Sequence, residues 1–192
     1  MDFLFFINSI LLGIGLAMDA FSVSVANGLN EPNMSKTKSL GIAITFGVFQ
    51  YAMPMIGWIC VHTVVVYFQK FEKFIPWIAL LLLLYIGGEM IADGIKNHDG
   101  KVEAPAVGIG ALMVQAVATS IDALSGGFTI TDYNFPMALV ASLIIGLVTY
   151  GICLVGLKIG KTAGTRLAGK ASIIGGIILI IIGIEIFLKG IL

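Results

Sequence analysis

Two acidic residues stand alone in apolar runs: Asp19 in GLAMDAF, residues 15–21, and Asp122 in ATSIDAL, residues 118–124. Neither run carries Lys or Arg at comparable depth. An aspartate at the centre of a membrane helix costs roughly 2.5–3.5 kcal/mol on insertion scales. Two such carboxylates facing each other repel, and with no basic partner they must take up protons or hold a cation. A divalent cation removes the conflict, and hard oxygen ligands suit Mn²⁺, Mg²⁺ and Ca²⁺. The plainer alternative is a pair of protonated, hydrogen-bonded aspartates that serve helix packing.

Other polar side chains extend the candidate site. Ser22 follows Asp19 by three residues, one helical turn along the same face, and Ser125 stands in the same relation to Asp122. Thr119 precedes Asp122 by three residues, while Gln50 and Thr149 lie in two other apolar runs. Asp19, Asp122, Gln50, Ser22, Thr119 and Thr149 are therefore the candidate metal ligands, although each neutral side chain taken singly is more often an interhelical hydrogen bond than a ligand. Met18, beside Asp19, offers a thioether suited to softer metals or to core packing. Glu89 and Glu185, near the ends of their runs, are candidate proton relays or carboxylates that snorkel toward water. The pairs Asn27-Gly28 and Gly126-Gly127 follow the aspartates and either loosen the helix, freeing carbonyls, or let helices pack closely. His98, with Asp93, Asp99 and Glu103, forms a polar linker with metal-binding residue types, and His62 belongs near a membrane interface.

Composition sets the elements that must carry these groups. The chain has 192 residues, 58% hydrophobic and 11% charged, and its net charge is zero. Its mean hydropathy is +1.04. A soluble domain is about 25% charged, so the chain reads as an all-α integral membrane protein with no footprint for nucleic acid. Six stretches are long enough to span at about 20 residues each: 3–29, 41–66, 76–95, 106–130, 137–157 and 171–191. The first lacks the basic leader of a cleaved signal and reads as a retained helix. Cys60 and Cys153 match no metal or redox spacing and read as core residues.

The two halves resemble each other. Asp19-Ala20 aligns with Asp122-Ala123; Gly47, Gln50 and Tyr51 align with Gly146, Thr149 and Tyr150; Gly57 aligns with Gly156; and Gly87 and Glu89 align with Gly183 and Glu185. Three helices per half force the second half to enter from the opposite face, which gives two inverted repeats, residues 1–98 and 104–192. Each aspartate falls slightly past the middle of its helix, so antiparallel helices place the two around the midplane. The first, third and fifth joints hold eight Lys and Arg against three on the other side, which puts both termini outside and those joints in the cytoplasm.

With their order and spacing, GLAMDAFSVSVANGL, FGVFQYAMPMIGW and ATSIDAL resemble the MntP family of small bacterial manganese efflux pumps. The resemblance implies six helices, export of Mn²⁺ across the bacterial inner membrane, and a central role for Asp19, Asp122 and Gln50. This chain departs from the family pattern at Ser125-Gly126 and at Glu89, where a basic residue is common. The expected function is a secondary transporter whose substrate is the divalent ion, embedded in the bilayer, with a homo-oligomer allowed. A non-transporting scaffold of a related sporulation-associated branch and a cation channel are the rivals. No nucleophile–base constellation appears, so no enzyme and no cofactor are expected. Gly160-Lys161-Thr162 lacks the phosphate-loop glycine at position 155, which is Val155.

Overall fold

A computed structural model describes residues 3–63, 75–96, 107–130, 132–167 and 171–191. Among those residues the secondary structure is helical throughout: α1 (Phe3–Asn30), α2 (Lys36–Thr63), α3 (Ile75–Lys96), α4 (Ile109–Thr119), α5 (Ile121–Thr129), α6 (Phe135–Leu167) and α7 (Ala171–Ile191). Hydrocarbon offers the backbone no partner but itself, which is why apolar runs of this length become helices. Three described helices are long and apolar enough to cross a membrane: Phe3–Asn30, Lys36–Cys60 and Phe135–Thr165. α3 and α7 have 22 and 21 residues, or about 30 Å at 1.5 Å per residue.

Two expectations change. The stretch 106–130, read as one span, is two helices that meet at Ser120. The stretch 137–157 is part of a 33-residue helix that absorbs most of the expected fifth joint. Lys161 is therefore helical, and its Nζ donates to the Met34 carbonyl in the turn between α1 and α2. That turn is also held by Lys38 and Glu31, paired at 2.6 Å, and Ser35 caps α2 by accepting from the Lys38 amide at 3.2 Å. The linker bearing His98, Asp99 and Glu103 lies outside the described residues.

α1 packs most extensively on α6, α3 on α7, and α2 on α6 and α5. Lipid tails are as apolar as Leu, so these contacts depend on close van der Waals approach through small residues. Gly47 and Gly146 back onto each other: a Cβ on Gly47 would lie 3.0 Å from the Gly146 oxygen and 3.2 Å from Tyr150 Cβ, and one on Gly146 would lie 2.7 Å from the Gly47 oxygen and 2.9 Å from Tyr51 Cβ. Gly57 abuts the Leu124 oxygen, two residues beyond Asp122, and Gly156 faces the Phe21 oxygen, two residues beyond Asp19. Gly28 and Gly126-Gly127 sit inside helices, where Gly28 packs on Leu157 and Gly160 and Gly127 on Pro54 and Gly57. Close packing is thus their role, and the helix break falls elsewhere. The outer surface is apolar, with Leu11, Leu81, Tyr85, Ile109, Leu147 and Ile181 each more than half exposed, while Asp19, Asn27, Gln50, Gln115, Thr119 and Thr149 are buried.

Candidate functional site

Asp19 lies in the unbroken middle of α1 and is only 8% exposed. Asp122 is half-buried in the first turn of α5, where its Oδ1 accepts the Ala123 amide at 2.9 Å. A carboxylate in the first turn of a helix is favoured by the helix dipole. The break that creates this helix start has a local cause. Thr119 Oγ1 donates to the Gln115 carbonyl at 2.9 Å, Ser120 Oγ donates to the Ala116 carbonyl, and the Ser120 amide turns to the Val117 carbonyl at 3.2 Å. Adjacent hydroxyls thereby satisfy carbonyls that the next helical turn would otherwise take, and such back-bonding bends helices. The aligned positions in α1 are Leu16 and Ala17, which carry no hydroxyl, and α1 continues unbroken. Ser120→Ala is expected to straighten the α4–α5 junction, cost about 1 kcal/mol of stability and slow transport severalfold; a thermal melt and an initial-rate assay on the same preparation check both.

The register between α1 and the α4–α5 pair follows from two contacts and one shared cluster. A Cβ on Gly126 would lie 3.1 Å from Leu16 Cδ1. Asn27 and Gln115 hydrogen bond directly. Leu12 and Ile130 share one apolar cluster with Met55. Leu16 precedes Asn27 by eleven residues, and Gln115 precedes Gly126 by eleven, so the elements run antiparallel in constant register. Asp19 lies three residues past Leu16, and Asp122 lies four before Gly126. Both displacements point toward the Asn27–Gln115 end, and they differ by one residue, or about 1.5 Å of helix. On that register Asp19 falls within one residue of the position opposite Asp122.

Gln50 comes to the same level from α2. It is fully buried, and its Nε2 donates to the Leu16 carbonyl, one turn before Asp19, at 2.6 Å. Its Oε1 is buried without a hydrogen-bond partner. An unsatisfied buried acceptor ordinarily costs about 1–3 kcal/mol, so an amide oxygen held this way beside an aspartate suits a cation. Thr149, fully buried on α6, donates to the Ile145 carbonyl at 2.9 Å and keeps its oxygen lone pairs. Thr119 is buried near Asp122 in the same way.

The remaining candidates are more open. Ser22 is half-buried and donates to the Met18 carbonyl at 3.0 Å. Met18 is 48% exposed, so it is not the core residue that its apolar run suggests. Glu89 and Glu185 are exposed on α3 and α7. Among the described residues no three His, Cys, Asp or Glu side chains cluster to hold a metal ion, so any cation there would rely on amide, hydroxyl or backbone oxygens as well. Gln115 escapes a reading of the sequence. Its signal is the spacing of Gln115, Thr119 and Asp122 at i, i+4 and i+7 on one face.

Comparison with known proteins gives one consistent family. A family model described as "Putative manganese efflux pump" matches residues 33–187. Relatives that carry the same description under the name MntP include one from Clostridium botulinum strain Langeland, 41% identical over 95% of this chain and 94% of its own length. Another is from Methanosphaera stadtmanae, 40% identical over 93% and 97%, and a third from Gloeothece citriformis, 38% identical over 93% and 92%. No solved structure matches the chain. A match that runs through the aspartate, glutamine and glycine segments alike, over nearly the full length of each relative, leaves one assignment: the chain is a multi-pass membrane protein and belongs to the MntP family of manganese efflux pumps.

Proposed function

We infer that the protein is a secondary transporter that exports Mn²⁺, taking the ion between Asp19 and Asp122 near the membrane midplane. The observation that carries the reading is the register that sets Asp19 within one residue of the position opposite Asp122, together with the unsatisfied Gln50 Oε1. Two like charges in a low-dielectric interior repel each other, and a divalent ion neutralises both. Thr119 and Thr149 supply further hard oxygens, and Ser22 lies at the margin. The kinship selects manganese among the hard divalent ions.

The reciprocal Gly47–Gly146 contact and the matched Gly57–Leu124 and Gly156–Phe21 contacts support two inverted three-helix units, 1–98 and 104–192. In this reading α4 and α5 together make the fourth of six spans. Both termini face outside, and the α1–α2 turn faces the cytoplasm of a bacterial cell whose inner membrane holds the protein. The two units rock so that the aspartates face each side in turn. Protons return as the carboxylates exchange metal for H⁺, with Glu89 and Glu185 as relays at helix ends.

Flux into proteoliposomes tests this. Expected is saturable Mn²⁺ movement that outpaces Mg²⁺ and Ca²⁺ and accelerates under an opposing pH gradient. Flux linear in metal concentration would instead identify a channel, and no flux from folded protein would identify a scaffold.

A further inference from the structure

The seam that carries the aspartates is closed differently at its two ends. Toward the C-terminal end of α1, Asn27 Nδ2 donates to Gln115 Oε1 at 2.8 Å and Gln115 Nε2 donates to Asn27 Oδ1 at 3.2 Å. Both side chains are sealed from solvent, at 0% and 1% exposure. On α1, Asp19, Val23 and Asn27 recur at i, i+4 and i+8, and Val23 and Thr119 form the rung between the amides and the acids. Both rung residues are buried. At the other end the same register sets Leu12 opposite Ile130, and both belong to the apolar cluster of Met55, Tyr51 and Trp58. The offset that aligns Asp19 with Asp122 makes Ile130 the counterpart of Asn27 and Leu12 the counterpart of Gln115. One position in a repeated design is thus polar at one end and apolar at the other, and a vectorial device requires ends that differ.

An amide pair suits a closure that must open for a cation. Each amide nitrogen donates to the other side chain and each carbonyl oxygen accepts from it while the helices are together, so each of the four polar atoms has a hydrogen-bond partner in the closed state. Interhelical hydrogen bonds in membranes are weak enough to part within a working cycle. Once parted, the two carbonyl oxygens are the hard ligands that a divalent ion prefers. An apolar plug gives a cation no such substitute for lost water.

We propose that Asn27 and Gln115 form the latch of the ion path at the α1 C-terminal end, closing it when paired and lending their amide oxygens to the passing divalent cation when parted. The proposal rests on the transport reading, so its first test uses a readout independent of flux. In a background with Cys60 and Cys153 replaced by Ala, Val23→Cys reports whether the path is open. Expected is slow labelling by a membrane-impermeant thiol reagent added from the α1 C-terminal side, and labelling about tenfold faster when Asn27→Ala is added. Equal rates with and without Asn27→Ala would overturn the latch, whatever the flux.

The second test joins Asn27→Cys and Gln115→Cys with a short reducible bifunctional thiosulfonate in proteoliposomes. Mn²⁺ flux should fall at least tenfold and return on reduction, and full flux with the link in place would overturn the proposal. The double variant N27L/Q115L should melt like the parent, because both polar partners leave together, yet carry Mn²⁺ at least tenfold more slowly. Parent-like flux from N27L/Q115L would reduce the pair to packing. Absence of Mn²⁺ flux from the parent itself would instead count against the transport reading, while Val23→Cys labelling still decides the latch.

Discussion

Asp19→Asn is expected to cut manganese export roughly hundredfold or more while leaving the bundle folded. Asn keeps the shape of the side chain and its hydrogen-bonding oxygen but loses the charge, so the change isolates the ion's partner from the helix's packing. With one carboxylate gone the divalent ion is only half neutralised, and breaking a buried pair of opposite charges costs about 3–5 kcal/mol, which corresponds to two to three and a half decades of affinity at about 1.4 kcal/mol each. Export should therefore fall roughly hundredfold or more, and cells carrying the variant should accumulate manganese at normal expression. Asp122→Asn should behave alike, because the register sets Asp19 within one residue of the position opposite Asp122, and the substituted side chain would retain an oxygen for the Ala123 amide. The double variant should be no worse than either single one, since groups that act as a unit are not additive. Unchanged cellular manganese in the single variants, with protein present at parental levels, would remove the aspartates from the mechanism.

Gly160→Leu prevents assembly of the α1–α6 seam. A Cβ at Gly160 already presses on the Val25 oxygen and lies 2.9 Å from Gly28 Cα and 3.0 Å from the Leu29 nitrogen. All three are backbone atoms of a helix that packs on α6 along much of its length, so no side chain can swing away. Overpacking typically costs about 1–3 kcal/mol when neighbours can shift, and here the helix itself must move. Gly160→Ala should lower the melting temperature by roughly 5–10 °C, and Gly160→Leu should give no monodisperse protein in detergent. Gly15→Ala and Gly151→Ala are the controls: nothing lies within 4 Å of either added Cβ, and Ala is the better helix former. A melt in which Gly160→Ala matches those controls would contradict the close packing of α1 on α6.

The two acids and the seam glycines were visible in the chain for different reasons. A charge in an apolar run is costly wherever that run folds, so Asp19 and Asp122 announce themselves through local composition alone. Gln50 shows itself in the same way, as an amide inside a span. Gly156, Gly160 and Gly164 announce close packing through their four-residue spacing, though not which helix they meet; the structure gives them α1 and the turn after it. Glu89 and Glu185 stand near the ends of their runs, where the sequence allows either a proton relay or a carboxylate that snorkels toward water, and both are exposed on α3 and α7.

By itself, the sequence determined a helical membrane protein, the approximate placement of its apolar spans and the unusual acids within them, because hydropathy and insertion cost act within a single window of residues. The tertiary structure decided the break at Ser120, the antiparallel register of α1 against α4 and α5, the unsatisfied oxygen of Gln50 and the pairing of Asn27 with Gln115 across 88 residues of chain. Those depend on the register between helices, which is set by where facing backbones approach through glycine and by whether a hydroxyl bonds back to its own helix or outward. No single helix carries that information.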